Sequence, residues 1–346
     1  MRSATAFANG TFDPKVFRKS EYGRNALDMQ KIAVEHKGDP MNPEVLKYWE
    51  EKGAKKELYE AGTDTEWSVF TPLDMDRTKK YPLIYCSHGG GDDIFIAETY
   101  GYNELVKPMQ VICVYPQNGD RGNGRIETEF PRILDELEAK GYPIDRSRVY
   151  AVGFSAGSVA SLRLAMSHPD KVAGICPVPG PNSFRGGILS KNLPTYKEKF
   201  GLRVPLICMG GTADGGDAWP LDEEVYFNNF NLWMKNVAGI ESFKPMTLKK
   251  SQELRANSED SVKRFFGLDF DKTWIEYFEG TFWYCGEFLD DDGKSIAQFV
   301  AVEGMPHMHC KNEAKEIYGY LKQFSRNLET GELVFQNENI NHAKNS

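Results

Sequence analysis

The chain has 346 residues, of which 40% are hydrophobic, and its formal net charge is -8. This acidic balance argues against binding to nucleic acid or to an anionic membrane surface, because both carry negative charge. No stretch approaches the roughly 18 apolar residues of a membrane helix, and the first residues lack the apolar core of a signal peptide. We therefore expect no nucleic acid and no membrane as partner and no export signal in this sequence, and a homo-oligomer is possible.

The first 60 residues are polar and are interpreted as an N-terminal extension packed on a main domain that spans 61–330. Within the extension, NPEVLKYWEEKGAKKELYEAG (42–62) predicts a helix, with Asn42 as its cap and Pro43 in its first turn. Residues 331–346 are predicted to form a polar, loosely held C-terminal tail.

From residue 66 onward, short apolar runs alternate with helical patterns. The strand-like runs lie at 66–73, 81–87, 109–117, 148–154, 171–178, 204–210 and 298–304. The clearest helical patterns lie at 126–141 and 156–168. Continuous runs of Val, Ile and Leu are typical of strands buried on both faces, so we predict an α/β fold with a mostly parallel sheet between two layers of helices.

Six cysteines are spread along the chain, mostly inside these apolar runs. They are Cys86, Cys113, Cys176, Cys208, Cys285 and Cys310. No C-x-x-C spacing occurs, so a zinc ribbon is not expected. Buried thiols behave as small hydrophobic groups, and we interpret these as reduced core residues of a cytosolic protein.

The segment from about 218 to 297 interrupts the alternation and is rich in aromatic residues. Two helical patterns at 221–239 and 247–267 precede predicted strands that are joined by turns at Gly280 and at Asp292-Gly293. We interpret the segment as a cap insertion with its own small core. A lid that contacts substrate is compatible with this, and it predicts that Trp219, Trp233 and Trp283 line the substrate site.

The stretch VYAVGFSAGS (149–158) places Ser155 between two glycines at the end of a predicted strand and the start of a predicted helix. An ordinary tight turn is one interpretation. The other is a nucleophile elbow, which requires this strand–turn–helix context because only a sharp turn lifts the hydroxyl above the sheet edge. Gly153 and Gly157 would allow close backbone approach, and the helix N-terminus would favour a developing negative charge. We predict that Ser155 is a nucleophile.

A serine nucleophile needs a base, and FVAVEGMPHMHCKNE offers His307 and His309 after a late strand. We favour His307, which comes first after the turn at Gly304 and Pro306, and keep His309 as the alternative. The His-x-His-Cys cluster could bind a metal, but close spacing alone is weak support, and we predict no metal.

The base in turn needs a carboxylate to orient it, and VPLICMGGTADGGDAWP supplies Asp214 just after an apolar run, with Asp217 as the alternative. The glycine run in CSHGGGDD (86–93) predicts an oxyanion hole built from Gly89 or Gly90 together with the N–H of Ala156. A phosphate-binding loop is the rival interpretation of this run, but it lacks the Lys-Ser/Thr pair that such a loop uses.

Taken together, YPLIYCSHGGG, YPIDRSRVYAVGFSAGS, GGTAD and GMPH resemble the α/β-hydrolase superfamily. More narrowly, they resemble the esterase family of polyhydroxybutyrate depolymerases, feruloyl esterases and acetylxylan esterases. The resemblance implies a catalytic triad of Ser155, Asp214 and His307, an acyl-enzyme and no cofactor. The chain departs from the family in having Met308-His309-Cys310, where Trp-Pro often follows the histidine, and in its long insert.

The function predicted on this basis is a serine carboxylic-ester hydrolase. The aromatic insert favours hydroxycinnamoyl esters or other small aryl or sugar esters. Hydroxybutyrate oligomers and acetyl esters are alternative substrates. A peptidase, or a binding protein without catalytic activity on the same fold, is a further alternative.

Overall fold

The structure is a computed structural model that describes residues 35–36, 39–117, 125–180, 184–185, 187–214, 219–278, 280–310 and 312–336. Its centre is a ten-stranded sheet. The strands are β1 (Ala54–Tyr59), β2 (Trp67–Pro72), β3 (Tyr81–Ser87), β4 (Ile112–Pro116), β5 (Ile144–Phe154), β6 (Gly174–Val178), β7 (Leu206–Gly211), β8 (Lys272–Phe278), β9 (Thr281–Leu289) and β10 (Ser295–Val302). A separate hairpin pairs β11 (Phe324–Arg326) with β12 (Leu333–Phe335).

The strand order across the large sheet is β1-β2-β4-β3-β5-β6-β7-β10-β9-β8. The six neighbouring strands from β4 to β10 are parallel, whereas β2 and β9 run against their neighbours. This is the topology of an α/β-hydrolase fold. Strand β2 is antiparallel to both of its neighbours, and the parallel strands that follow are joined by crossover connections. The predicted fold class is confirmed.

Helices cover both faces of the sheet. Those described are α1 (Pro43–Glu51), α2 (Ile94–Ala97), α3 (Val106–Met109), α4 (Ile126–Ala139), α5 (Ala156–Ser167), α6 (Gly187–Lys199), α7 (Glu224–Leu232), α8 (Leu248–Asn257), α9 (Ser261–Phe266) and α10 (Glu313–Leu321). One core contains apolar residues of α4 to α7, and the other contains those of α1, α2 and α10. The continuous apolar strands are therefore buried on both faces, as the sequence predicted.

The predicted helix over 42–62 is only half correct. Asn42 does cap α1, because its side chain accepts a hydrogen bond from the Glu44 N–H at 2.9 Å. Gly53 then takes a φ of +79°, which ends the helix, and 54–59 forms β1 instead. The strand is fixed by pairing with β2 and by Lys56, whose buried ammonium donates to Glu98 at 2.7 Å. The prediction is wrong for 54–62 because these tertiary contacts outweigh local helix propensity.

The aromatic insert belongs to the main core. Strands β8 and β9 extend the central sheet, and Gly280 and Gly293 occupy the predicted turns with φ of +91° and +78°. The Phe299 ring on β10 lies 5.9 Å from Phe230 and 5.7 Å from Phe270. The expectation of a cap with a separate small core is wrong on this point, because these insert rings pack against a central strand.

Part of the predicted C-terminal tail is also packed. Residues 333–335 form β12, and the Phe335 ring lies 5.3 Å from Phe324 on β11. Residues 337–346 lie outside the described part of the chain.

All six cysteines are buried, and no disulfide joins them. Within the described ranges, no helix is long and apolar enough to cross a membrane.

Candidate active site

Ser155 stands at the junction of β5 and α5, at the carboxyl end of a central parallel strand. Its backbone has φ +53° and ψ -111°, a conformation that costs a residue with a side chain on the order of 1–3 kcal/mol. The turn is held by its own N–H, which donates to the Val178 carbonyl at 2.5 Å on the neighbouring strand β6. A strained serine at a strand-to-helix turn is the geometry that the nucleophile elbow requires.

The two flanking glycines are needed for packing. A Cβ on Gly157 would lie 2.7 Å from the carbonyl oxygen of His88 and closer still to that of Ser87. A Cβ on Gly153 would lie 3.0 Å from the Cα of Gly157 and closer to its carbonyl. The chain therefore surrounds the serine with glycines because the strand, the helix and the loop after β3 meet there in backbone contact.

Asp214 and His307 form a hydrogen-bonded pair at the same edge of the sheet. The His307 Nδ1 lies 2.9 Å and 3.0 Å from the two carboxylate oxygens of Asp214. Asp214 is 4% exposed, whereas the His307 side chain is 40% exposed. Because Nδ1 donates to the carboxylate, Nε2 is the ring nitrogen left to accept a proton.

The topology explains how residues 93 positions apart meet. Asp214 follows β7, His307 follows β10, and these two strands are parallel neighbours. The His307 ring also lies 4.7 Å from the ring of Phe154, the residue immediately before Ser155. The structure thus brings Ser155, Asp214 and His307, all predicted from sequence, to one edge.

His309 has a different environment from His307. It is 3% exposed, and its Nδ1 lies 3.0 Å from the Glu313 carboxylate, which has no exposed surface. A base must reach solvent or substrate, so the geometry favours His307 over this alternative. The other carboxylate that we considered, Asp217, lies outside the described residues. No cluster of three or more potential metal ligands occurs among the residues that are described.

The glycine loop after β3 covers the elbow. A Cβ built on Gly89 would lie 3.5 Å from the Cβ of Ser155, and one on Gly90 would lie 3.4 Å from that of Ala156. The Gly89 N–H, however, donates to the hydroxyl of Tyr100 at 3.2 Å. Of the predicted oxyanion donors, Gly90 and Ala156 therefore fit better than Gly89.

Sequence reasoning missed Tyr100 and its partner Asp92. The Tyr100 hydroxyl donates to the Asp92 carboxylate at 2.9 Å, so it bridges two residues of the glycine loop. Asp92 lies next to the glycine run in the sequence and could have been singled out as a loop anchor. Tyr100 had no such signal, because it lies beyond α2 and reaches the loop only through the tertiary fold.

The three tryptophans predicted to contact substrate are core residues. Trp219, Trp233 and Trp283 are 1%, 0% and 3% exposed. The Trp219 ring packs against Phe266 at 5.0 Å and Phe299 at 5.7 Å. A side chain without accessible surface cannot contact a bound substrate while the core is closed. The prediction of substrate contact is therefore wrong for these three residues, whose aromatic area stabilises the fold.

Known proteins provide a comparison for this site. No family model matches the chain. Over 128 residues it is 30% identical to poly(3-hydroxyalkanoate) depolymerase C of Paucimonas lemoignei. This alignment covers 32% of this chain and 31% of the depolymerase. Over 113 residues it is 44% identical to NocK of Nocardia uniformis subsp. tsuyamanensis, which is named as an esterase. This alignment covers 29% of this chain and 33% of NocK.

Among solved structures, an acetyl xylan esterase from Aspergillus awamori aligns over 78% of this chain and 99% of that one, with a TM-score of 0.49 and 11% identity. The chain spans a third or less of the length of the curated relatives it matches. The resemblance to this group of esterases, predicted from the motifs, is confirmed.

Proposed function

We propose that the chain is a serine carboxylic-ester hydrolase with Ser155, His307 and Asp214 as its catalytic triad. The observation that carries this proposal is the pair of 2.9 Å and 3.0 Å contacts between His307 Nδ1 and buried Asp214, at the edge where the strained Ser155 ends β5. Structural roles alone would not account for an exposed histidine held by a buried carboxylate beside such a serine.

In the proposed reaction, the Ser155 hydroxyl attacks the ester carbonyl while His307 Nε2 takes its proton. Asp214 holds the ring in the required tautomer and stabilises the imidazolium that forms. The alcohol leaves with the proton from His307, and an acyl-enzyme remains on Ser155. His307 then activates water, which releases the acid and restores the serine.

We expect two backbone N–H groups, those of Ala156 and Gly90, to stabilise the negative charge on the former carbonyl oxygen. Ala156 opens α5, whose first N–H groups lack partners inside the helix. Gly90, in the loop after β3, is a close neighbour of Ala156, because a Cβ built on Gly90 would lie 3.4 Å from the Ala156 Cβ. Donors of this kind are worth about 2.7–4 kcal/mol each in related chemistry, because they act where charge develops in the transition state.

The names of the relatives support esters of small carboxylic acids as substrates. One is named a poly(3-hydroxyalkanoate) depolymerase, and another is named a bifunctional acetylxylan esterase/xylanase. The hydroxycinnamoyl preference stays a prediction that has lost the support of the three tryptophans, which are buried.

The test is a panel of p-nitrophenyl acetate, p-nitrophenyl 3-hydroxybutyrate and methyl ferulate, with Ser155→Ala as the inactive control. We expect turnover of at least one ester by the wild-type protein and a loss of roughly 10³-fold or more in kcat for the variant. Equal residual hydrolysis by both proteins would favour a binding protein on the same fold.

We further propose a cytoplasmic location, which the buried thiols support. A secreted protein matures in an oxidising compartment, where cysteines tend to become linked. The test is a thiol count on the denatured protein purified from its native cells. All six cysteines should react with Ellman's reagent, and fewer than six would contradict a reducing compartment.

A further inference from the structure

A second hydrogen-bonded pair of a histidine and a carboxylate, His309 and Glu313, lies next to the proposed catalytic histidine. His309 and Glu313 are 3% and 0% exposed, and the Glu313 carboxylate accepts from both the His309 ring and the Cys310 N–H at 3.0 Å. Burying a carboxylate costs free energy unless the group is paired and hydrogen-bonded, and these two hydrogen bonds partly offset that cost for Glu313. These two bonds fix the segment that begins at His307.

The face of the His309 ring stacks on the ring of Tyr100. The two ring centroids are 4.1 Å apart and the planes are inclined by 26°. The hydroxyl of the same tyrosine accepts from the Gly89 N–H at 3.2 Å and donates to Asp92 at 2.9 Å. A continuous chain of contacts therefore runs from the histidine loop to the loop that covers Ser155.

The ring of Phe154, adjacent to the serine, fills the space between these groups. It lies 4.7 Å from His307, 4.5 Å from His309 and 5.4 Å from Tyr100. Interiors packed at this density transmit displacements, so a shift of one ring is felt by the others.

We propose that Tyr100, His309 and Glu313 are positioning residues. They hold the glycine loop (86–93) and the proposed catalytic histidine, His307, in the positions relative to Ser155 that the reaction requires. This inference rests on the proposed ester hydrolysis. Tyr100 acts through Gly89: by holding the Gly89 N–H, it directs the next peptide, that of Gly90, over Ala156. His309 holds the Tyr100 ring, and Glu313 holds His309.

A positioning role has a kinetic signature that a purely structural role lacks. The oxyanion forms only in the transition state, so displaced donors lower kcat while the binding of the uncharged ester changes little. A displacement of about 1 Å in such a site can cost about 10²-fold in rate. We therefore expect a change in kcat without a matching change in KM.

The test is Tyr100→Phe, which removes the hydroxyl and keeps the ring that stacks on His309. We expect kcat to fall by about 10–100-fold, with KM within about twofold of wild type. The matched control is Tyr196→Phe. Its buried hydroxyl donates to the Leu202 carbonyl at 2.7 Å near the start of β7, at the opposite edge of the sheet. The control should lose similar stability but keep kcat.

A second variant, His309→Gln, tests the other end of the chain of contacts and should show the same split between kcat and KM. Labelling of Ser155 by a fluorophosphonate separates the two proposals. If the wild-type protein takes no label, the proposed function fails. If the wild type is labelled and turns over ester, but Tyr100→Phe loses no more kcat than Tyr196→Phe, the positioning role alone is overturned.

An independent observation concerns the far edge of the sheet. In the described part of the chain, β8 is the last strand and pairs only with β9. The hairpin that they form exposes three large apolar side chains: Ile275 at 43%, Tyr277 at 66% and Phe282 at 42%. An open strand edge with exposed apolar residues is a template for pairing with another strand.

We infer that β8 pairs with β8 of a second copy of this chain, antiparallel and about a two-fold axis at Trp274. This register places Lys272 opposite Glu276 of the other copy, twice per dimer, and Thr273 opposite Ile275. Directly opposed side chains of opposite charge stabilise an antiparallel pair. Both Lys272 and Glu276 are exposed in the single chain, so their charges are accessible to a partner.

The test is sedimentation equilibrium on the full chain. We expect a dimer that is weakened at least tenfold in dissociation constant by Lys272→Glu or Glu276→Lys alone, because each reversal places like charges opposite one another. The double variant should restore dimerisation, since it exchanges the two charges. A monomeric wild type, or a double variant no tighter than either single one, would overturn the inference.

Discussion

Replacing Gly157 by alanine tests the packing on which the elbow depends. The new Cβ would lie 2.7 Å from the His88 carbonyl oxygen and closer still to that of Ser87, so it falls at least about 0.7 Å short of an ordinary contact of 3.4 Å. The obstacle is backbone at the start of the glycine loop and cannot rotate away. Overpacking of this kind costs about 1–3 kcal/mol, and we expect the upper end, about 3 kcal/mol. The loop must also move by a comparable distance, so kcat should fall by about 10²-fold.

Urea unfolding of the variant measures the first effect and hydrolysis of p-nitrophenyl acetate measures the second. For a slope of about 3 kcal/mol per molar, the expected loss lowers the unfolding midpoint by about 1 M. The control is Gly319→Ala inside α10, where a Cβ meets nothing within 4 Å. It should stabilise the protein by about 0.5–1 kcal/mol. A Gly157→Ala variant within 0.5 kcal/mol of wild type that keeps full activity would refute this account of the elbow.

Three further predictions concern single side chains. Asp214→Asn should lower kcat by about 10⁴-fold with little change in stability, as seen by thermal unfolding, because the amide favours the wrong tautomer of His307; loss of less than tenfold would argue against the pair. Ser155→Gly should be about 1 kcal/mol more stable to urea than Ser155→Ala, since only glycine adopts φ +53° without strain, and equal stability would argue against strain there. Burial raises the pKa of Glu303 above its usual value of 4.5, so its contribution to stability is present below that pH and is lost as pH rises through the raised pKa. Glu303→Gln should therefore gain stability relative to wild type as pH rises above about 4.5, and a difference that stays constant with pH would contradict the shift.

The strand-to-helix turn at Ser155 and the positions of the proposed triad could be predicted from sequence because each depends on a short local pattern. Ser155 follows an apolar run and precedes a helical one, and Asp214 and His307 each follow a run that forms a parallel strand. Parallel strands end at one edge of a sheet, so the fold class itself implies that residues after those strands converge.

The errors come from features that only tertiary contacts decide. Residues 54–59 have helix propensity, but β2 and the buried Lys56–Glu98 pair hold them as an edge strand. Aromatic density in the insert indicated a lid, yet composition cannot distinguish a ring that faces a cleft from one that faces the core, and Trp233 has no exposed surface. Tyr100 reaches the glycine loop through space, with no spacing that would reveal it.

The most direct test of the central claim is intact-mass analysis after incubation with a fluorophosphonate, followed by peptide mapping. We expect one adduct per chain, located on Ser155, which forms rapidly in the wild type and at a reduced rate in His309→Gln. In His307→Ala, labelling should slow by several orders of magnitude, since the base that activates the hydroxyl is gone. An intact, folded protein that takes no label, or one labelled equally fast without His307, would contradict the triad.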